Sequence, residues 1–269
     1  MASEPQFRTD LYRGTARFYD DFRVPYPQDL LNDLCVRAKV TGAGQLLDIA
    51  CGTGQISFGL WPHFAEVWAV DQELEMVEFA RVKASERGVK NVRWSVGRAE
   101  EVEAENCIEL VAIGNAFHRL RRRSVAESAR RWLVRGGHLA LLWSNTPWCG
   151  SAQWQQVMSD TLDDWARKAA ASNRVPANVE QSLAEEPNTS VLAAAGFAIV
   201  GKYEFLTPYE WTIEKLTGFT YSTSLLSREA LGPHIQAFES DLREGLMAVE
   251  PSGLFHETIQ FGYELATVR

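Results

Sequence analysis

The most informative segment of the chain is Leu46-Leu47-Asp48-Ile49-Ala50-Cys51-Gly52-Thr53-Gly54-Gln55. Its apolar first half has the length of a buried strand, and its glycines mark a turn into a helix. Gly52 and Gly54 let the backbone approach a ligand closely because they carry no Cβ, and the first turn of a helix offers unpaired N–H groups. The stretch therefore predicts a strand, a glycine turn and a ligand site at a helix start.

Four further apolar runs follow along the chain, and helical patterns separate several of them. The runs are 67–70, which ends at Asp71, then 92–96, 108–113, and 138–143 after a Gly-Gly turn. Apolar residues recur at helical spacing over 74–84 and again over 124–134. Strands that alternate with helices imply right-handed βαβ units. We therefore predict an α/β, doubly wound Rossmann-like sheet, with its ligand crevice at the carboxyl ends of the strands.

Two later stretches interrupt this rhythm, and they divide the chain into four expected parts. Residues 146–187 are rich in Trp, Asp and Ala and read as helical, and 208–251 separates two strand-like runs at 197–206 and 257–267. Such insertions commonly form the walls of a substrate pocket. We expect a cap segment at 1–30, a ligand-binding core at 31–145, a substrate-cap insertion at 146–187, and the rest of the core at 188–269 with a second insertion at 208–251.

Composition and charge exclude several classes of protein. The chain has 269 residues with 27 Lys+Arg and 35 Asp+Glu, a formal net charge of −8, which disfavours binding to nucleic acid phosphates. It lacks an apolar run of membrane-spanning length and a signal-like start, so we expect no membrane association and a cytoplasmic location. The four cysteines form no CxxC pair and no metal-ligand cluster is visible, so we expect reduced thiols and no metal.

Asp71 and Asp48 indicate which nucleotide-like ligand the turn binds. Asp71 follows Gly54 by 71 − 54 = 17 residues, about where a ribose-binding carboxylate belongs. A dinucleotide fingerprint wants a third Gly or Ala where this chain has Ser57, and the Asp48 carboxylate would oppose a pyrophosphate. S-adenosylmethionine has no phosphate and carries positive ammonium and sulfonium groups. The residues therefore favour this methyl donor over NAD.

Residues 46–55 resemble the first motif of the class I S-adenosylmethionine-dependent methyltransferases, and further matches follow in order over roughly 8–145. Asp71 resembles the family's ribose-binding acid, and Met76 resembles its apolar residue near the adenine. The segments 97–100 and 108–120 are similar to the motifs at its third and fourth strands. Tyr12, Tyr19 and Arg23 resemble the cap of the small-molecule branch, where an aromatic ring and an arginine close over the methionine end of the donor.

The resemblance implies a seven-stranded sheet with an antiparallel last strand, S-adenosylmethionine as cofactor and S-adenosylhomocysteine as product. It implies cofactor-binding residues at Tyr12, Tyr19, Arg23, Asp48, Ala50, Gly52, Gly54, Gln55, Asp71, Gln72, Met76, Ala99, Glu100 and Asn115. We expect substrate-binding residues at Phe117, His118, Asn145, Trp148 and Asp163. His118 is the candidate catalytic base, because histidine titrates near neutrality.

The expected activity is methyl transfer to a nitrogen or oxygen atom of a small natural-product acceptor of secondary metabolism, in a monomer or homodimer. The acidic balance and the aspartates of the first insertion favour a cationic acceptor, such as an aminoglycoside amine. The run of arginines over 119–131 reads as the solvated face of a helix. The alternatives are an RNA or protein methyltransferase, a non-catalytic donor-binding module, and a nicotinamide-dependent oxidoreductase.

Overall fold

A computed structural model describes Pro5, Phe7, Arg8 and residues 10–104 and 106–268. Residues 1–4, 6 and 9 of the predicted cap segment, with Glu105 and Arg269, lie outside the described residues.

One seven-stranded sheet forms the centre of the molecule. Its strands are β1 Gln45–Ile49, β2 Glu66–Asp71, β3 Val92–Val96, β4 Ile108–Gly114, β5 Leu133–Ser144, β6 Ala198–Thr212 and β7 Leu254–Thr267. The strand order is β3-β2-β1-β4-β5-β7-β6, and β7 runs antiparallel to both of its neighbours. The predicted Rossmann-like sheet with an antiparallel last strand is confirmed.

Helices cover both faces of this sheet. They are α1 Ala16–Phe22, α2 Gln28–Arg37, α3 Gln55–Leu60, α4 Leu74–Glu86, α5 Arg122–Trp132, α6 Gln153–Lys168, α7 Val179–Glu185, α8 Asn188–Ala194, α9 Ile213–Tyr221, α10 Arg228–Leu231 and α11 Ile235–Val249. Short 3₁₀ turns connect several of them, including one at Phe117–Arg119. Within the described part of the chain, no helix is both long and apolar enough to cross a membrane.

Alternate residues of the central strands supply two separate cores. Leu46 and Leu110 point to one face, where α2, α6, α9 and α11 bury their apolar sides. Leu47 and Val111 point to the other face, against α5 and α8. Because neighbouring residues of a strand face opposite sides, a sheet covered on both faces needs the continuous apolar runs seen in the sequence.

The last strands extend beyond their predicted limits. β5 begins at Leu133, before the Gly-Gly turn that was expected to start it, and its pairing with β4 shifts register at this end. β6 continues to Thr212, although Pro208 was expected to mark the start of an insertion. Proline is tolerated there because β6 is an edge strand that pairs only with β7, so one side of its backbone needs no ladder hydrogen bond.

Candidate active site

The glycine turn between β1 and α3 holds three residues in the left-handed region. The φ angles are 54° at Ala50, 55° at Gly52 and 87° at Gly54. A Cβ on Gly54 would lie 2.5 Å from Cη2 of Trp94, so this glycine is needed for space as well as for its backbone angle. The turn brings the Gly52 backbone to the carboxyl end of β1, beside the end of β2.

Asp71, the last residue of β2, is bonded to this turn. Its Oδ2 accepts a hydrogen bond from the Gly52 N–H at 2.8 Å, and its Oδ1 accepts one from the Glu73 N–H at 2.9 Å. Burial raises the pKa of the Asp71 carboxyl above its usual value, while these N–H donors act in the opposite direction. Each oxygen keeps a lone pair, so the carboxylate can still accept hydrogen bonds from a ligand.

An open cavity lies at this edge of the sheet, and we call it the turn cavity. It runs from the glycine turn past the ends of β2 and β3, and residues of the N-terminal segment cover it. The predicted cofactor-binding residues that line it are Tyr12, Tyr19, Ala50, Gly52, Asp71, Gln72, Met76, Ala99, Glu100 and Asn115. The structure therefore brings most of the predicted cofactor set to one cavity.

Four predicted cofactor residues do not line the turn cavity, and Asp48 is the most informative of them. Its side chain is buried, and its Oδ2 accepts hydrogen bonds from the backbone N–H and the hydroxyl of Ser57, at 3.0 and 2.6 Å. It thus satisfies a backbone N–H in the first turn of α3, as the side chain of an N-cap residue would. The expected contact between Asp48 and the donor stays a prediction, since Asp48 Oδ2 is bonded to the helix start and the residue does not line the turn cavity.

Gly54, Gln55 and Arg23 also lie outside the turn cavity. Gly54 packs against Trp94, and the Gln55 amide donates to the Arg23 carbonyl at 3.4 Å. Arg23 lines a second cavity instead of the first. Its Nε donates to Ser222 Oγ at 2.8 Å, and its guanidinium lies over the Tyr19 and Phe219 rings at 5.1 and 4.4 Å.

The second cavity adjoins the first, and we call it the cap cavity. Its walls come from the N-terminal segment, the end of β4, α6, and the loop after α9. Tyr12, Tyr19, Asn115 and Arg119 line both cavities, so these four residues mark where the two meet. The predicted substrate residues His118, Trp148 and Asp163 also line the cap cavity.

Phe117 and Asn145, the other predicted substrate residues, lie elsewhere. Phe117 is 4% exposed and packs in the core between the sheet and α5, because its 3₁₀ turn directs the ring inward. Asn145 is exposed and continues the strand ladder by donating its N–H to the Gln260 carbonyl. Neither lines the cap cavity.

His118 is held in its neutral form. Burial and the neighbouring charges of Arg119 and Arg122 lower the pKa of its imidazole to about 4. Its ring meets the Phe7 ring edge-on at 6.5 Å. At neutral pH the imidazole can accept a hydrogen bond or a proton, but its lowered pKa makes it a weak base.

Asn115 lines both cavities and bonds to residues of two neighbouring segments. Its side-chain amide donates to Tyr26 Oη at 3.1 Å and to Ser144 Oγ at 3.2 Å, and its Oδ1 accepts from the Ser144 N–H. Its own backbone is left-handed, with φ of 51°. This network fixes the end of β4 against the end of β5.

Arg119 is the main functional candidate that the sequence interpretation missed, because it was assigned to a solvated helix face. In the structure it lines both cavities, and its Nη1 donates to Ser224 Oγ at 3.1 Å. Arg122 departs from that assignment too, since it is 3% exposed and donates to the Ser182 and Glu186 carbonyls. The partner of Arg119 is 105 residues away in sequence, so no local pattern identified the contact.

Among the described residues, no group of three or more His, Cys, Asp or Glu side chains could hold a metal ion.

Residues 46–137 match the family described as a methyltransferase domain. An uncharacterised methyltransferase of Bacillus subtilis, YcgJ, is 31% identical over 122 residues, which cover 44% of this chain and 48% of that protein. Its crystal structure superposes with a TM-score of 0.55 and 16% identity, over 90% of this chain and 99% of that chain. By sequence, the chain therefore spans about half the length of this curated relative.

Two other relatives differ in what they act on. The mouse tRNA (uracil-5-)-methyltransferase homolog A is 37% identical over 106 residues, 38% of this chain and 17% of that protein. A geranyl diphosphate methyltransferase, solved in complex with S-adenosylmethionine, superposes with a TM-score of 0.51 and 14% identity, over 90% of this chain and 85% of that one. At these identities the structural likenesses show the fold alone.

Proposed function

We propose that the chain is a class I S-adenosylmethionine-dependent methyltransferase that methylates a nitrogen or oxygen atom of a small-molecule acceptor. The match of residues 46–137 to a methyltransferase domain and the seven-stranded sheet support this proposal. The observation that carries the proposal is the Asp71 carboxylate, which the Gly52 N–H holds at the wall of the turn cavity. A ribose hydroxyl needs such an acceptor at the end of the second strand.

In this proposal the donor binds in the turn cavity. Asp71 accepts hydrogen bonds from the ribose, while the buried side chains of Met76 and Ala99 border the adenine. Glu73 supports the fit, because its Oε1 is buried and has no hydrogen-bond partner among the described residues. A donor group of the ligand would satisfy that oxygen.

When bound, S-adenosylmethionine supplies an electrophilic methyl group on a sulfonium, and S-adenosylhomocysteine is the product. In this proposal the sulfonium lies beside Tyr12 and Tyr19, at the junction of the two cavities. The centres of these two rings are 6.4 Å apart, and the rings meet edge-on. Aromatic faces favour a nearby cation. Burial raises the pKa of Tyr19 to about 12, so its hydroxyl stays neutral at physiological pH.

The acceptor binds in the cap cavity, and the chain contributes mainly by alignment of the two reactants. His118 lines this cavity as a neutral imidazole, which can accept a hydrogen bond from the acceptor. Because its pKa is lowered to about 4, it suits a nucleophile that needs little help to lose a proton.

The charges that line the cap cavity bear on whether the acceptor is a cation such as an aminoglycoside amine. Asp163 lines the cap cavity and would attract an ammonium group, but its side chain is exposed and therefore screened by water. Arg23 and Arg119 line the same cavity and would repel a cation. We therefore propose a small natural product as the acceptor and do not propose an aminoglycoside.

An RNA methyltransferase is the second candidate, because the mouse tRNA methyltransferase homolog matches 38% of the chain. The net charge of −8 opposes it, since RNA binding depends on clustered positive charge. An acceptor screen that includes unmodified tRNA beside amino sugars, phenols and carboxylic acids, read by a mass gain of one methyl, separates the two. A small-molecule enzyme methylates a member of the panel and leaves the tRNA unchanged.

We also propose that the protein acts in the cytoplasm as a monomer or homodimer. The cysteines Cys35, Cys51, Cys107 and Cys149 are free thiols, which supports a reducing compartment.

Asp71→Asn tests the donor site directly. The substitution replaces one carboxylate oxygen by an NH₂ group, which cannot accept hydrogen bonds from the Gly52 N–H and a ribose hydroxyl. We expect S-adenosylhomocysteine to bind the wild type and to lose at least about tenfold in affinity in D71N, measured by calorimetry.

Asp160→Asn is the matched control, because Asp160 is an exposed residue of α6 outside both cavities. It removes the same charge and should bind S-adenosylhomocysteine as the wild type does. Equal affinities for D71N and D160N would contradict the proposed site.

A further inference from the structure

The cap cavity carries more positive than negative charge. Arg23 and Arg119 both line it, and Asp163 is the only carboxylate among the described residues that do. Asp163 is exposed, whereas both arginines are half-buried. Charge interactions weaken with solvent exposure, so the two guanidinium groups dominate the electrostatics of the cavity interior.

Among the described residues, Arg119 has no acidic partner, and aromatic rings and a hydroxyl hold it in place. Its guanidinium carbon lies 5.1 Å from the centre of the Tyr12 ring and 5.4 Å from that of Phe7, and its Nη1 donates to the Ser224 hydroxyl. Its Nε is buried and has no hydrogen-bond partner among the described residues. A buried charged donor without a partner is costly, so the site is suited to a ligand that supplies an acceptor.

Aromatic rings connect Arg119 to Arg23. Arg119 lies over Tyr12, Tyr12 meets Tyr19 edge-on, and Tyr19 lies beneath the Arg23 guanidinium. The two rings lie between the two cations. The Tyr12 ring packs against the Arg119 guanidinium and the Tyr19 ring against the Arg23 guanidinium, so the rings hold both cations in place. The cavity thus presents two preorganised cations at different places.

The donor can neutralise one of these cations, since S-adenosylmethionine carries one carboxylate. The other cation then remains beside a sulfonium of like charge. We propose, on the basis of the methyltransferase function above, that the acceptor is a small carboxylic acid, bound as its anion by the Arg119 guanidinium where the turn cavity meets the cap cavity. Arginine presents paired N–H donors that match a carboxylate.

This acceptor class agrees with the other walls of the cavity. One carboxylate oxygen of the acid attacks the methyl carbon of S-adenosylmethionine, so the O–CH₃ bond forms as the S–CH₃ bond breaks, and the products are a methyl ester and S-adenosylhomocysteine. A carboxylate has already lost its proton at neutral pH, so this step needs no strong base, and His118 is a weak one. Trp148, Leu162, Leu225 and Leu226 line the cavity as well and offer apolar surface to the carbon skeleton of an acid.

Paired acids and amides test the proposal, because each amide keeps the shape of its acid and removes the charge. The pairs are benzoate and benzamide, phenylacetate and phenylacetamide, and octanoate and octanamide. Each is titrated by calorimetry into the full chain, with and without saturating S-adenosylhomocysteine. We expect the wild type to prefer at least one acid over its amide by about tenfold or more.

Arg119→Met removes the charge and keeps an unbranched side chain to pack on Tyr12 and Phe7. We expect R119M to lose the preference for the acid and to keep its affinity for S-adenosylhomocysteine within about threefold. Arg119→Lys should restore part of the preference, because it restores the charge. Arg121→Met is the matched control, since Arg121 is exposed and lines neither cavity.

Three results would overturn the proposal: no acid preferred in the wild type, a preference that survives in R119M, or a loss of S-adenosylhomocysteine affinity in R119M of tenfold or more. The last would assign Arg119 to the donor's carboxylate. Failure of the proposed function is a separate result, namely no binding of S-adenosylhomocysteine by the wild type.

Discussion

Asp48 is a buried acidic residue of β1. In the structure its Oδ2 binds Ser57 at the start of α3, and its Oδ1 is buried without a hydrogen-bond partner among the described residues. Burial raises the pKa of this carboxyl to about 7, and the nearby Asp71 charge adds to the effect.

Asp48→Asn should therefore stabilise the protein at alkaline pH. The unfolded carboxyl ionises near pH 3.8 and the folded one near pH 7, so the wild type loses stability as the pH rises through this window. The raised pKa corresponds to up to ~4 kcal/mol at pH 8, from roughly three pKa units. Asparagine keeps an oxygen for Ser57 and carries no charge, so D48N should lack this loss.

Urea unfolding of the wild type and D48N at pH 5 and pH 8, without ligand, measures the difference. We expect the stability of D48N relative to the wild type to increase between these two values. A D48N variant that becomes relatively less stable toward pH 8 would contradict the raised pKa.

At the level of the helices, contacts with α4 hold one side of the N-terminal cap against the core. The Lys83 ammonium of α4 pairs with Asp20 of α1, and Glu75 of α4 accepts a hydrogen bond from the Gly14 N–H at 2.7 Å. On its other side α1 packs closely against α9, where a Cβ on Gly218 would lie 2.5 Å from Cδ1 of Phe22. The position of Tyr19, which α1 carries, thus depends on a glycine in the second predicted insertion.

Gly218→Ala should displace α1 and weaken the donor site. The added methyl meets the Phe22 ring, and overpacking of this kind costs about 1–3 kcal/mol. We expect a lower urea midpoint and a several-fold loss of S-adenosylhomocysteine affinity, because Tyr19 moves with α1.

Thr217→Ala, one residue away on α9, is the control. It removes a hydroxyl that donates to the Ile213 carbonyl within the same helix, and it leaves the contact with α1 intact. Its effect should be about 0.5 kcal/mol or less. A Gly218→Ala variant with wild-type stability and donor affinity would show that α1 does not depend on this close packing.

The sequence predicted the strands of the core because each is a short apolar run that ends at a turn or at Asp71. It did not predict the end of β6, because a proline reads as a break unless the strand is known to lie at an edge. The cap cavity was the hardest part. Its wall joins Arg119 to Ser224 and Arg23 to Ser222, contacts between segments 105 and 199 residues apart that only tertiary packing creates.

The molecule as a whole places two adjoining cavities at the carboxyl ends of one sheet. The turn cavity is lined mainly by residues of the sheet and its loops, which the motif and its spacing could identify. The cap cavity is lined by residues of α6 and of the loop after α9, where composition was the main sequence signal. The proposed function therefore depends most on the turn cavity and on the ligand that binds there.

A crystal structure of the chain with S-adenosylhomocysteine tests this claim most directly. The account predicts the ligand in the turn cavity, with its ribose hydroxyls within hydrogen-bond distance of the Asp71 carboxylate and its adenine beside Met76 and Ala99. Crystals grown with saturating ligand in which that cavity is empty, or in which NAD and not S-adenosylhomocysteine occupies it, would contradict the account.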